Sequence, residues 1–402
     1  MKLALNAPHL MQRHWLAFLL IFLLSIYNQT CHAQFVDQPK YSPWEDPKPD
    51  NRPIAVILVK FADSDREPAS KADYAKLFGM TFPGFRHYIS RCTGGRVTLP
   101  GTKVIGWFRL PKNKADYEDR NRHAPIHCEK LWGDALEIAE RTIDFTPYRA
   151  VVVIPNEMVV YGDNGQGGWP AEIKLNGKKR HIGVALLNID RYAFGIAVHE
   201  VGHALGLDHS SNEVGKDNFY TGMCCGFSDH KNPDPFIGFL NWTYNGYHRL
   251  LLRGIEPKAI VDIRSGETQT VTVSDLNSAS DGVTKLVRIW KKDKGFWTIE
   301  ARFFDTFYDR PSINEGFRNE GIVIHDVVPH RSGQPTVPGS YDPDKRSAVV
   351  IEPNITRNSD AEKMHIPRRR AWTPGTTLMR GGIKIEVLKR QDKAFIVKVT
   401  AE

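Results

Sequence analysis

The chain has 402 residues, 41% of them hydrophobic and 25% charged, an ordinary globular composition that excludes a largely disordered protein. That length leaves room for one large or two ordinary domains. The net charge of +8 is spread along the chain, its densest run (Arg368-Arg369-Arg370) reads as solvated surface, and no nucleic-acid partner is expected.

Lys2 and Arg13 precede a 13-residue apolar run, Trp15 to Tyr27, and small residues follow at Cys31 and Ala33. This is the pattern of a secretory signal over residues 1–33, cut near Ala33. The alternative is an uncleaved anchor, but the run is short for a bilayer. The expected product is a secreted chain, extracellular or periplasmic, with no membrane span after cleavage. Its net charge falls to +6, because Lys2 and Arg13 leave with no acidic residue.

Cleavage also removes Cys31 and leaves Cys92, Cys128, Cys224 and Cys225. An even number in an oxidising compartment predicts two disulfides. Adjacent Cys224 and Cys225 pair poorly with each other, so each is expected to pair with one of the other two. Free thiols are the alternative.

Residues 34–52 are Pro-rich and charged, an exposed leader too short for a folded pro-domain. "IAVILVKFAD" (54–63) and "YRAVVVIPN" (148–156) read as buried strands. "DYAKLFG", "GFRHYISRCTGG" and "HCEKLWGDALEIAERTI" (127–143) suit helices, and "VTLPGTKVIGWFRLP" (97–111) alternates like a hairpin. The Gly-rich "YGDNGQGGWPAEI" (161–173) reads as a flexible rim loop before a strand at "HIGVALLN" (181–188). Beyond about residue 250, alternating segments such as "TQTVTVSDL", "GFWTIEARFF" and "EGIVIHDVV" follow the pattern of an all-β domain. Its aromatics Trp290, Trp297, Phe303 and Phe304 are expected in a core rather than on a ligand platform.

"FGIAVHEVGHALGLDHS" (194–210) holds three of the fifteen histidines within eleven residues. On a helix His199 and His203 lie one turn apart on one face, where two imidazoles can share a zinc ion. Gly206 ends the helix by taking a left-handed conformation, and the reversed chain returns His209 as a third ligand. Three neutral ligands leave a fourth position open, the mark of a catalytic site. Glu200 is angled about 100° away from His199 around the helix. It is therefore placed to act on water as general base rather than to coordinate. Five fixed positions recur by chance on the order of once in ten thousand chains of this length. The expected complement is one catalytic zinc per chain.

HExxHxxGxxH is the metzincin signature, and the motif with Ser210 resembles that of matrix metalloproteinases. "VILVKFAD", "FRHYISRCTGGRVTLPGTKVIGWFRLP", "FWTIEARFFDTF" and "GIVIHDVV" are similar to segments of immune-inhibitor-A-like and gametolysin-like secreted peptidases. The resemblance spans about residues 53–330 and no cysteine-switch segment precedes the motif. It implies an α/β (α+β) metzincin catalytic domain with a mixed sheet and an active-site helix, over 53–248. An all-β sandwich-like domain over 249–402 would follow. Some of those peptidases use an acidic third ligand, which makes Asp208 the alternative to His209. Metzincins also place a methionine turn beneath the metal, which here implies Met223, fourteen residues past His209. The tyrosine that some carry two residues later is replaced by Cys225, and Tyr220 lies on the other side.

The expected function is that of a secreted zinc endopeptidase acting on protein or peptide. The strand at 181–188 and the segment at 161–173 would form a cleft rim that takes an extended peptide by strand addition. The rivals are a catalytically silent scaffold used for adhesion and a zinc hydrolase of a non-protein substrate.

Overall fold

A computed structural model describes residues 48–118, 128–159, 165–175, 178–188, 193–212, 220–223, 232–279, 282–292, 295–310, 319–328, 348–353 and 371–402. The expected signal segment, Cys31, Cys224 and Cys225 lie outside the described residues, as does the side chain of Cys128.

Strands β1 (Ile54–Lys60) and β3 (Ala150–Pro155) are continuous apolar runs because both faces of their sheet are covered. Ile54, Val56 and Leu58 face one core, and Ala55, Ile57 and Val59 face the other. The first core is closed by helices α1 (Lys71–Leu77), α2 (Phe85–Cys92) and the histidine-bearing helix α4 (Ala193–Ala204). The second is closed by Leu131, Ala135, Leu136 and Ala139 of helix α3 (Cys128–Ala139). With β2 (Lys103–Arg109), β4 (Gly165–Leu175) and β5 (Lys178–Leu187), the sheet order is β2-β1-β3-β5-β4. Four strands run parallel and β4 runs antiparallel along the edge.

Two sequence expectations change here. Residues 97–111 form no hairpin: β2 is a single edge strand that pairs in parallel with β1, after a turn at Leu99 and Gly101, both with positive φ. Alternation marks a strand with one covered face but does not choose its partner. The expected rim loop at 161–173 is largely strand β4, paired with β5. Its register shifts between Gly168 and Pro170, at a bulge that spares proline the ladder N–H it lacks.

The later strands are β6 (Ser210–Asn212), β7 (Ile260–Ile263), β8 (Thr268–Ser274), β9 (Leu286–Trp290) and β10 (Phe296–Arg302). They are followed by β11 (Gly321–Val327), β12 (Ala348–Ile351), β13 (Thr377–Arg380), β14 (Ile383–Gln391) and β15 (Ala394–Ala401). They build a six-stranded sheet, β6-β12-β11-β10-β9-β7, and a four-stranded sheet, β13-β14-β15-β8. Ile289, Trp297 and Ile324 of the first share one core with Val273, Val397 and Phe395 of the second. Trp297 and Phe303 belong to that core, as expected. The fold is mixed, with a parallel-rich sheet between helices joined to largely antiparallel sheets.

The chain crosses the 248/249 division expected from sequence in two ways. Strand β6, directly after His209, completes the six-stranded sheet by pairing in parallel with β12. Helix α5 (Gly246–Leu251) is bound to β10 through a buried ionic cluster. Arg302 lies 2.9 Å from Asp309 Oδ2 and 3.3 Å from Glu300 Oε1, and the Gly246 N–H donates to Glu300 Oε2. Arg249 donates to Thr243 Oγ1 at 2.8 Å and Asn277 Oδ1 at 2.6 Å, and Asn277 donates to Asp309 at 2.7 Å. Burial pushes the Glu300 carboxyl up and opposes the charge of Arg302, but Asp309 and Glu300 overcome it and raise Arg302. Removing one member of such a cluster costs about 3–5 kcal/mol, because a buried charge is left without its partner. All the described residues belong to one compact unit, Pro43–His330 with Thr336–Glu402.

The end of the expected exposed leader is tied down as well. Arg253 donates to the Lys48 carbonyl at 2.6 Å, and Asn51 bonds Arg96 O and Thr98 N at 2.8 Å each. Arg149 reaches from the Asp50 carbonyl (3.2 Å) to the Leu205 carbonyl at the end of α4 (2.8 Å). Among the described residues, no helix is long and apolar enough to cross a membrane.

Candidate metal centre

Helix α4 is buried on nearly every face, in keeping with its apolar residues Phe194, Ile196, Ala197, Val198 and Val201. It lies so close to β5 that a Cβ on Gly183 would collide with the Ala204 carbonyl. Its last turn closes through Leu205 N–H to Val201 O at 2.9 Å. Gly206 then takes φ +90°, and Leu207 N–H returns to Gly202 O at 3.0 Å. That left-handed step is open to glycine at little cost, and it turns the chain back so that His209 faces the helix.

The three Nε2 atoms converge. His199 and His203 are 3.2 Å apart, His199 and His209 3.1 Å, and His203 and His209 3.0 Å. His203 Nδ1 lies 2.7 Å from the Leu207 carbonyl, and His199 Nδ1 lies 3.3 Å from the Gly222 carbonyl. A carbonyl only accepts, so both Nδ1 atoms carry hydrogens and a neutral ring presents a bare Nε2 lone pair. Burial, then His209 and His199, push the His203 pKa well below its usual value, so the ring stays neutral. Bare ring nitrogens this close repel unless a proton or a cation lies between them.

The dimensions fit one. Nitrogens 3.0–3.2 Å apart lie about 1.8 Å from their common centre. An ion about 2.0–2.1 Å from each, the usual Zn–N length, would fit among the three nitrogens. His203 is 8% exposed, whereas His199, Glu200 and His209 are half-buried, so the cluster opens on the side away from His203. Asp208 is buried beside the group but is not among its converging side chains. The centre can hold a metal ion, with His209 rather than Asp208 as third ligand.

Met223 is fully buried under α4, with its sulfur against Gly202. Its carbonyl accepts the Ser210 N–H at 3.0 Å, which ties the turn to the chain leaving His209. Tyr220 turns away and packs with Val323, Val350 and Ala371. Cys92, expected in a disulfide, is a free thiol in the core, 1% exposed. Its sulfur accepts the Tyr244 N–H at 3.4 Å, and among the described residues no second cysteine side chain stands beside it.

Several supporting residues were not foreseen. Gly202 is one: a glycine inside a helix costs about 1 kcal/mol against alanine, a local signal that something packs close. Tyr244, whose hydroxyl donates to Val198 O at 2.6 Å, is another. Thr221, Asn241 and His248 lie around the turn that carries the Gly222 carbonyl. No short motif announces them.

In comparisons with known proteins, no family model matches the chain, and no curated protein matches it.

Proposed function

We propose that the protein is a secreted zinc-dependent endopeptidase of the metzincin kind, with His199, His203 and His209 as metal ligands and Glu200 as general base. The observation that carries this reading is the convergence of three Nε2 atoms within 3.2 Å, beside a carboxylate on the helical position after His199. Bound there, zinc would act as a Lewis acid on a carbonyl and lower the pKa of water to about 7. Glu200 takes the proton from the attacking water and returns it to the leaving amine nitrogen, so that the C–N bond breaks without expelling an amide anion. The edge strand β4 offers its outer backbone row to an extended peptide, which fixes the scissile bond beside the helix. The apolar run and small residues of segment 1–33 support export.

Purified protein should clear casein, stop after dialysis against a chelator, and recover on addition of one equivalent of zinc. Zinc binding without casein or peptide hydrolysis would leave the scaffold or non-protein reading and overturn this one.

A further inference from the structure

His248 is fully buried, and catalysis as proposed makes no use of it. Its Nδ1 lies 3.1 Å from Thr221 Oγ1. The same Thr221 oxygen accepts the Met223 N–H at 3.2 Å. Between these two residues stands Gly222, whose carbonyl receives His199 Nδ1 at 3.3 Å and Asn241 Nδ2 at 3.4 Å. Gly222 has no room for a side chain, because a Cβ would come within 2.7 Å of Tyr88 Oη and Val198 Cγ1.

We infer that Thr221 and His248 are positioning residues for the metal centre, acting through the Gly222 carbonyl on the ring of His199. The inference rests on the zinc reading above. The Gly222 carbonyl sets both the tautomer and the tilt of His199, so the aim of one ligand depends on how that peptide is held. The Thr221 hydroxyl pins the peptide by bonding the amide on its far side, and His248 fixes the hydroxyl.

His248 itself sits on an anchored helix. Asn245 caps its helix by accepting the His248 N–H at 2.9 Å, Gly246 N–H donates to Glu300, and Arg249 is bound by four oxygen atoms at 2.6–2.8 Å. The cluster between α5 and β10 thus connects to His199 through three hydrogen bonds: His248 to Thr221, Thr221 to the Met223 amide, and the Gly222 carbonyl to His199. Partners of this kind cost about 10–100-fold in metal affinity when removed.

Cobalt titration tests this, because the visible bands of bound Co²⁺ report ligand geometry and need no turnover. Thr221→Val keeps the volume and removes the hydroxyl. It should bind Co²⁺ about 10–100-fold more weakly, with shifted bands, while the near-UV circular dichroism stays that of wild type. Thr221→Ser should restore both affinity and spectrum, and His248→Asn, which keeps an amide near the Nδ1 position, should restore most of the affinity. If Thr221→Val does not fold, Thr221→Ala is judged by the same criteria. Wild type that takes up no cobalt overturns the metal reading itself. Wild type that binds, with a hydroxyl-deleted variant equal to it in affinity and bands, overturns only the positioning role.

Discussion

Met223 Sδ occupies the space that a side chain on Gly202, the residue before His203, would need. A Cβ there would also come within 2.8 Å of Tyr244 Oη. Gly202→Ala should therefore displace the methionine floor despite its better helix propensity. The expected cost is about 1–3 kcal/mol from overpacking, with faster loss of zinc to a chelator. A variant that melts at or above the wild-type temperature and keeps its zinc would show that the floor has slack.

Metal and proton transfer should separate cleanly. His203→Ala should fall to near-zero zinc by metal analysis while wild type keeps one equivalent. Glu200→Gln should keep the zinc and lose peptide hydrolysis by about 10²–10⁴-fold, the usual worth of a positioned acid–base group. Activity within tenfold of wild type would remove Glu200 from the proposed role.

Cys92 should behave as a hidden thiol. It is 1% exposed, and burial pushes its thiol pKa up, so it lacks both access and thiolate character. A disulfide-exchange reagent should leave it untouched in the native protein and label it at once in denaturant without reductant. Peptide mapping that finds Cys92 in a bridge would contradict the core packing around Tyr88 and Tyr244.

The pH dependence of stability should carry the mark of two buried neutral histidines. Burial holds His248 and His325 down to about 3, against 6.5 when unfolded. The folded pKa lies below the unfolded one, so the full stability is present above pH 6.5 and is lost as pH falls toward 3. In that window each unfolded ring binds a proton that the folded ring refuses, about 1.4 kcal/mol per pH unit for each histidine. The urea midpoint of metal-free protein should drop steeply between pH 6.5 and 5. A flat midpoint across that range would rule out neutral burial of the pair.

The parts of this fold that were legible in sequence are those whose cause is local. Helix α4 and its converging histidines follow from spacing and one glycine, and β1 and β3 from runs that only a doubly covered sheet tolerates. Strand β4 was hidden because Gly165, Gly167 and Gly168 have poor strand propensity, and pairing with β5 overrides it. Ser210, Ser211 and Asn212 carry no apolar signal, since β6 is held by backbone pairing to β12. The support behind His199 depends on Thr221 meeting His248 across 27 residues, a contact set by tertiary packing.

Strand β6 has a consequence in time. The chain leaving His209 is anchored where Ser210 Oγ donates to the Ala348 carbonyl, 138 residues downstream at 2.7 Å. A nascent chain that stops short of β12 lacks the partner that steadies the chain leaving His209, however complete its histidine helix. Contacts of such long range form late, because their loop must close first. Ribosome-bound chains ending at residue 330 should retain little zinc, while chains extended past the last strand should load fully. The order of synthesis would then keep the three-histidine centre unassembled until most of its own chain has been made.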